Sequence, residues 1–190
     1  EACMTMNGDW GWADHPEGDW ESARSIVKML RKTAAHKGNL LLNVGPRPDG
    51  TFPQEAIDRL ETVGAWLDKN GEAVYGNVTR IDGKLEEWVN TGFWTLKNNI
   101  GYYWLLRGNQ GSSFSIGGIQ TKVLCVEQLD TKRKLQFRQE PNRIHIAGLP
   151  EGSYDCIAET RVLKITFDAI PVQKLSAGMM LLSNEIAAWW

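Results

Sequence analysis

The residues able to do chemistry crowd near the start of the chain. Glu1, Asp9, Asp14, Glu17, Asp19 and Glu21 surround a single imidazole, His15, and Trp10 and Trp12 stand either side of Gly11. Carboxylates with a histidine are the raw material of a metal site, but such a site needs several ligands at a repeated spacing, and this stretch has one histidine and no such repeat. It reads instead as a loop whose acidic groups complement the positive N-terminal end of the helix that follows. Taken alone, Glu1 is a surface carboxylate, and the tryptophans are core or rim residues, as most tryptophans are. His36 falls at a helix C-terminus, where a partial positive charge suits the dipole. His145 alternates with Ile144 and Ile146 and so points outward from a strand; neither histidine is a catalytic candidate.

These residues need elements to hold them. From Trp20 to Lys37 the residues Ile26, Met29, Leu30, Thr33 and Ala34 recur at helical spacing, with Asp19 or Ser22 as cap and Gly38 as the left-handed stop. Asn39-Leu40-Leu41-Leu42-Asn43-Val44 is a short, nearly continuous apolar run, the pattern of a strand covered on both faces. Gly45-Pro46-Arg47-Pro48-Asp49-Gly50 then forces a turn. A second helix opens at Pro53, buries Ala56, Ile57, Leu60, Val63, Gly64 and Leu67, and ends at Asn70-Gly71. Helix, buried strand, loop and helix are the grammar of an α/β barrel or layered sheet. Asn43 closes the strand. An amide there can hydrogen-bond a ligand at a barrel's strand ends, but bonding loop backbone is the simpler use.

After Val78 the grammar becomes β only. Strand candidates are 85–89, 92–96, 101–106, 122–126, 134–137, 143–146 and 162–167, punctuated by Gly, Asn, Asp and Pro, which predicts an antiparallel sandwich of seven or eight strands. The division is thus 1–76, α/β, and 78–190, all-β.

A net charge of −2, from 21 basic and 23 acidic residues, offers no nucleic-acid footprint, and Lys132-Arg133-Lys134 reads as a solvated turn. No apolar run is long enough to span a membrane. Cys125 and Cys156 sit in apolar, strand-like contexts and read as buried free thiols; a disulfide between them is left to geometry. The abrupt start, without an initiating Met, reads as the middle of a longer protein.

Three blocks in order resemble family 29 α-L-fucosidases. They are Glu1-Ala2-Cys3-Met4-Thr5-Met6-Asn7 with Trp10-Gly11-Trp12, then Gly38-Asn39-Leu40-Leu41-Leu42-Asn43-Val44-Gly45-Pro46 with Asp49-Gly50, then Val63-Gly64-Ala65-Trp66-Leu67 with Asn70-Gly71-Glu72-Ala73-Val74-Tyr75-Gly76. The β-rich part is similar to that family's C-terminal domain at Leu129-Asp130, Leu135-Gln136-Phe137, Asn142-Arg143, Gly148-Leu149-Pro150 and Thr166-Phe167-Asp168. Asp9 stands where the family often has a small Ser, and Trp12 where a Tyr is common.

The resemblance implies the last part of a (β/α)8-like barrel followed by an antiparallel β-sandwich. It implies a retaining enzyme with two carboxyls about 5–5.5 Å apart, removing terminal α-linked fucose from glycans or glycosides. Glu1 matches the general acid/base, while the Asp nucleophile would come from an earlier strand outside this chain, so the chain alone is expected to be inactive. Trp10 and Trp12 would form an aromatic wall against the sugar's C5 methyl and apolar face, and Asn43 a substrate-side amide. The scheme requires no cofactor or metal and implies neither nucleic acid nor membrane as partner. An extracellular, periplasmic or lysosomal home, with self-association open, completes the expectation. The rival is a non-catalytic carbohydrate-binding or scaffold module, with Trp88, Trp94, Tyr102, Tyr103 and Trp104 as the sugar platform.

Overall fold

The computed structural model describes residues 1–15, 19–79, 92–106, 112–150 and 160–173. The strand candidate at 85–89 lies outside them, as do Glu17, Trp88 and Cys156. The chain opens with a β-α-β unit: β1 (Ala2–Thr5), α1 (Ala23–Ala35) and β2 (Leu40–Asn43), the two strands pairing in parallel with Ala2 opposite Leu40 and Thr5 opposite Asn43. Helix α2 (Gln54–Asn70) follows and runs into a 3₁₀ turn at Gly71–Ala73.

Helix α1 forms as its periodicity predicts, with the Ser22 side chain accepting from the Ser25 N–H at 3.1 Å. Its exit differs. Lys37, not Gly38, takes the left-handed conformation, at φ 56°. The Lys37 N–H bonds the Ala34 carbonyl and the Gly38 N–H bonds the Thr33 carbonyl, both at 2.9 Å. That is a Schellman motif with the glycine one place further on. A side chain on Gly38 would meet Thr33 Cγ2 at 3.1 Å, so its smallness still matters.

Strand β2 is covered on one face, not both. Leu42 packs with the helices, but Leu41, beside Cys3 on the opposite face, is 53% exposed. The expected burial of α2 also shifts. Leu60 is 37% exposed, and the helix buries Ala56, Val63, Trp66 and Asn70. The reason lies beyond the helix: Trp66 stacks on Trp104, with ring centroids 5.5 Å apart.

The β-rich part holds two antiparallel sheets. One has the order β3 (Gly92–Lys97), β4 (Ile100–Leu106), β9 (Thr160–Phe167), β6 (Val123–Gln128). The other runs β5 (Ser113–Gly117), β8 (Arg143–Ala147), β7 (Gln136–Glu140). Leu96, Tyr103, Leu105, Leu163, Ile165 and Phe167 of the first sheet share a core with Phe114, Ile116, Ile144 and Ile146 of the second. Two sheets closing on one core make a sandwich.

Because side chains alternate, the other face of the four-stranded sheet carries Tyr102, Trp104 and Val162 into a second core with Ile26, Val27, Val63 and Trp66. That sheet is buried on both sides. At this junction the Trp104 N–H donates to Thr95 Oγ1 at 3.0 Å, and the Thr95 hydroxyl donates to the Ala73 carbonyl at 2.8 Å, while the buried Trp66 indole nitrogen has no hydrogen-bond partner among the described residues. Arg31 of α1 lies 3.9 Å over the Phe93 ring. The proposed sugar platform fails here. Trp94, Tyr102, Tyr103 and Trp104 are at most 4% exposed.

Candidate functional site

Strands β1 and β2 end side by side at Thr5 and Asn43, and the chain leaves each into a loop. In parallel α/β units such strand ends are where ligand-handling groups collect. The loop after β1 is closed at its base by the Glu21 N–H donating to the Met6 carbonyl at 2.7 Å. Its ends meet, as in an Ω-loop. Inside it, the Asp9 N–H donates to Asn7 Oδ1 at 3.1 Å, and the Thr5 hydroxyl donates to the Asp9 carbonyl at 2.7 Å.

Asn43 reaches across from β2. Its Nδ2 donates to the Trp10 carbonyl at 2.8 Å and to Thr5 Oγ1 at 3.4 Å. The simpler sequence reading of this amide, bonding loop backbone, is what the geometry displays. Gly45 explains the next constraint. A Cβ there would lie 2.5 Å from the Gly11 carbonyl carbon and oxygen and 2.7 Å from the Trp12 nitrogen, so the two loops touch backbone to backbone. The strand end and the tryptophan loop fit together only because position 45 is glycine; a Cβ on Gly11 would meet nothing within 4 Å.

The result is a backbone pinned at three successive residues, Asp9, Trp10 and Gly11, with the Trp10 side chain 60% exposed and Trp12 45%. Phe52, 48% exposed, follows the other loop. That loop is a turn closed by the Gly50 N–H to the Arg47 carbonyl at 2.9 Å, with Gly50 at φ 85°. Asp49 accepts from both the backbone N–H and the hydroxyl of Thr51, which holds its carboxyl below the ordinary aspartate range.

Glu1 stands apart from this grouping. It lies on the same face of β1 as Cys3 and Thr5 by two-residue alternation, but four residues before Thr5, or about 13 Å along a strand. Its carboxylate accepts from the Cys3 thiol at 3.5 Å. Desolvation, that hydrogen bond and the negative charge of Glu1 push the Cys3 thiol up from its ordinary value. The structure therefore brings Trp10, Trp12 and Asn43 together and sets Glu1 at the opposite end of the strand.

Two groups were not marked by the sequence. His15 faces Asp9 Oδ2 with Nε2 at 2.9 Å and Asp19 Oδ2 with Nδ1 at 3.5 Å, and its side chain is 14% exposed. The six-residue interval from Asp9 to His15 is not a recognisable spacing, so only the loop fold reveals the pair. Glu72 is the other. Its Oε1 accepts from the Tyr102 hydroxyl at 2.8 Å and from the Lys164 ammonium, with the Lys132 ammonium 3.9 Å from Oε2. Burial works to raise the Glu72 carboxyl, but the Lys164 and Tyr102 hydrogen bonds and the two lysine charges outweigh it, leaving it below its ordinary value. Tyr102 moves up, through burial and then through Glu72. Among the described residues no group of three or more His, Cys, Asp or Glu side chains converges as a metal would require, and no helix is long and apolar enough to cross a bilayer.

Comparison with known proteins places this geometry. A family model described as Alpha-L-fucosidase matches residues 1–72. The plasma α-L-fucosidase of Rattus norvegicus is 43% identical over 77 residues, 40% of this chain and 17% of that protein. Among solved structures, α-L-fucosidase isoenzyme 1 from Paenibacillus thiaminolyticus superposes with a TM-score of 0.75 at 27% identity, covering 88% of this chain and 39% of that one. The Thermotoga maritima α-fucosidase in complex with fucose does so with a TM-score of 0.70 at 28% identity, covering 86% and 39%. This chain thus spans well under half the length of these relatives. Its first 72 residues, which carry the strand ends and the tryptophan loop, match the α-L-fucosidase family, and with these relatives and structures they support reading the chain as a fragment of such a protein.

Proposed function

We propose that this chain is the C-terminal part of a family 29 α-L-fucosidase, a retaining hydrolase of terminal α-L-fucosyl linkages, and that it supplies one edge of the sugar site. Residues 1–76 are the closing segment of the catalytic barrel and 78–190 the sandwich that backs it. The observation carrying this reading is Trp10, an exposed indole on a backbone held by Thr5, Asn43 and the Gly11–Gly45 contact, at the ends of parallel strands in the segment matched by the fucosidase family. Exposing a large aromatic forgoes the ~1.5–3 kcal/mol that burying a large apolar side chain gives. A rigid support under such a ring suits a partner that covers it. A 6-deoxy sugar has the matching shape: a methyl and an apolar face for Trp10 and Trp12, and hydroxyls for polar neighbours.

In this reading Glu1 is the general acid/base because it is the family-matching carboxylate, although it lies before β1 and away from the tryptophan loop. It protonates the leaving oxygen in the first step and activates water in the second, while an Asp nucleophile outside this chain carries the sugar. Asn43 acts by fixing the Trp10 carbonyl. Fucosylated glycans or glycosides are the substrates, and an extracellular, periplasmic or lysosomal setting is where they occur.

The test uses the full-length protein. It should release an aryl leaving group from an α-L-fucoside and not from the matching galactoside. Glu1→Gln should slow substrates with poor leaving groups most, and azide should restore turnover with a retained fucosyl azide. Equal losses for all leaving groups with no azide rescue would move the acid/base elsewhere. Absence of fucoside turnover in the unaltered protein would sink the whole reading.

A further inference from the structure

We infer that His15 is a positioning residue of the sugar site: by bridging Asp9 and Asp19 it sets where the Trp10 indole stands. The inference rests on the proposed role of Trp10 for its functional half, and on geometry alone for its structural half.

The loop between Met6 and Glu21 is tied at its base and along its near side, where Thr5 and Asn43 hold the Asp9 and Trp10 carbonyls. Those bonds grip the backbone from the strand side only. Among the described residues, His15 is the side chain that joins the far side of the loop to the near side. Its Nε2 meets the Asp9 carboxylate at 2.9 Å, and its Nδ1 stands 3.5 Å from the Asp19 carboxylate. Asp9 is thus held by its carbonyl from the strand and by its carboxylate from the loop. Trp10 is the next residue, so a rotation of Asp9 swings the indole directly. Gly8 lies beside the ring, where an added Cβ would meet its Cε1 at 3.6 Å.

The chemistry of the bridge depends on protons. A neutral imidazole carries hydrogen on one nitrogen, so it donates to one carboxylate and turns a lone pair toward the other; a ring protonated on both nitrogens donates to both. Among the described residues, the charged groups that meet the ring are Asp9 and Asp19, both acidic and both 58% exposed at the side chain. The doubly protonated ring therefore closes the bridge, and loss of a proton opens one side of it.

The decisive measurement is ¹⁹F NMR of the 190-residue chain labelled with 5-fluorotryptophan, with the Trp10 and Trp12 lines assigned from Trp10→Phe and Trp12→Phe. In His15→Ala the Trp10 line should move or broaden while the Trp66 and Trp104 lines and the thermal midpoint stay. His15→Gln, which keeps a donor toward Asp9, should return the line toward its original position. A Trp10 line unchanged in His15→Ala overturns the inference. If His15→Ala disturbs every tryptophan, Asp19→Ala decides, because that side chain is 58% exposed and its removal spares the core. In it the Trp10 line must move while the core lines stand still, and an unmoved Trp10 line overturns the inference. The functional half is read in the full-length enzyme, where His15→Ala should raise KM for an aryl α-L-fucoside several-fold with a smaller change in kcat. A displaced Trp10 line with unchanged KM would keep the bridge and remove it from the sugar site. An unaltered enzyme without fucoside turnover would instead break the fucosidase reading, leaving the NMR result intact.

Discussion

The aromatic residues of the two ends of the molecule are used in opposite ways. Trp10 and Trp12 stand largely in solvent on a backbone gripped from several directions, whereas Trp94, Tyr102, Tyr103 and Trp104 are buried and hydrogen-bonded or stacked inside the sandwich and its junction with the helices. Composition alone cannot separate them; aromatic enrichment in the β-rich half even suggests a sugar platform there. The distinguishing feature is which part of the residue the protein satisfies. Where it satisfies the ring, the aromatic builds the fold. Where it satisfies the backbone and leaves the ring open, the aromatic is presented.

The comparison breaks or sharpens under substitution. The largest effect on stability belongs to Trp104→Ala, which removes the stack on Trp66 and the hydrogen bond to Thr95 at the junction. Urea unfolding should register a loss of about 3–5 kcal/mol. A loss below about 1 kcal/mol would mean that this face does not join the two parts. Gly45→Ala comes next. The added methyl collides with the Gly11 carbonyl, so the loops must separate at a cost of about 1–3 kcal/mol. On the proposed function, the full-length protein's fucoside KM should rise with it, because Trp10 is carried on the displaced loop.

Glu72→Gln is smaller. The carboxylate pairs with Lys164 and Tyr102 but its side chain is 37% exposed, so solvent screening holds the loss near 1 kcal/mol at neutral pH. Its carboxyl lies lower in the folded chain than its ordinary value of 4.5. The contribution is therefore complete above that value and disappears as pH falls through the folded one, and the difference between the two proteins should close in acid. Tyr102 is shifted the other way. Its contribution is complete below the ordinary tyrosine value of 10.0 and declines at higher pH. A gap between the two proteins that persists in strong acid would show that Glu72 acts through shape and not charge. Trp10→Ala should change stability least, within about 0.5 kcal/mol, while on the proposed function it should cost the full-length protein most in fucoside KM.

Much of this was legible in the sequence where local rules and tertiary packing agree. Helix α1, its Ser22 cap, strand β2 and six of the sandwich strands follow from periodicity and punctuation. Strand β5 escapes the pattern because Ser113, Ser115 and Gly117 dilute the alternation that Phe114 and Ile116 carry. Spacing assigns Ala56 and Val63 of α2 to the core correctly but Leu60 wrongly, because amphipathic spacing cannot anticipate a second layer, and it is Trp104 that pulls Trp66 inward. Asn43 was readable, since an amide at a strand end has few uses. His15 and Glu72 were not. The first was absorbed into an acidic loop and the second into a motif, and their partners lie at separations that no local pattern encodes.

Strand β9 sits between β4 and β6 and contributes Val162 to the core shared with α1 and α2. Ribosomal synthesis delivers this central strand after every other described strand. Until it emerges, β4 and β6 have no common neighbour, and the helices lack part of the surface they pack against. The nascent chain must therefore keep both cores open until Thr160–Phe167 emerges, with apolar strand edges exposed to other chains. A stop codon or frameshift upstream of Thr160 would not trim this protein at its periphery; it would remove the middle of its sheet.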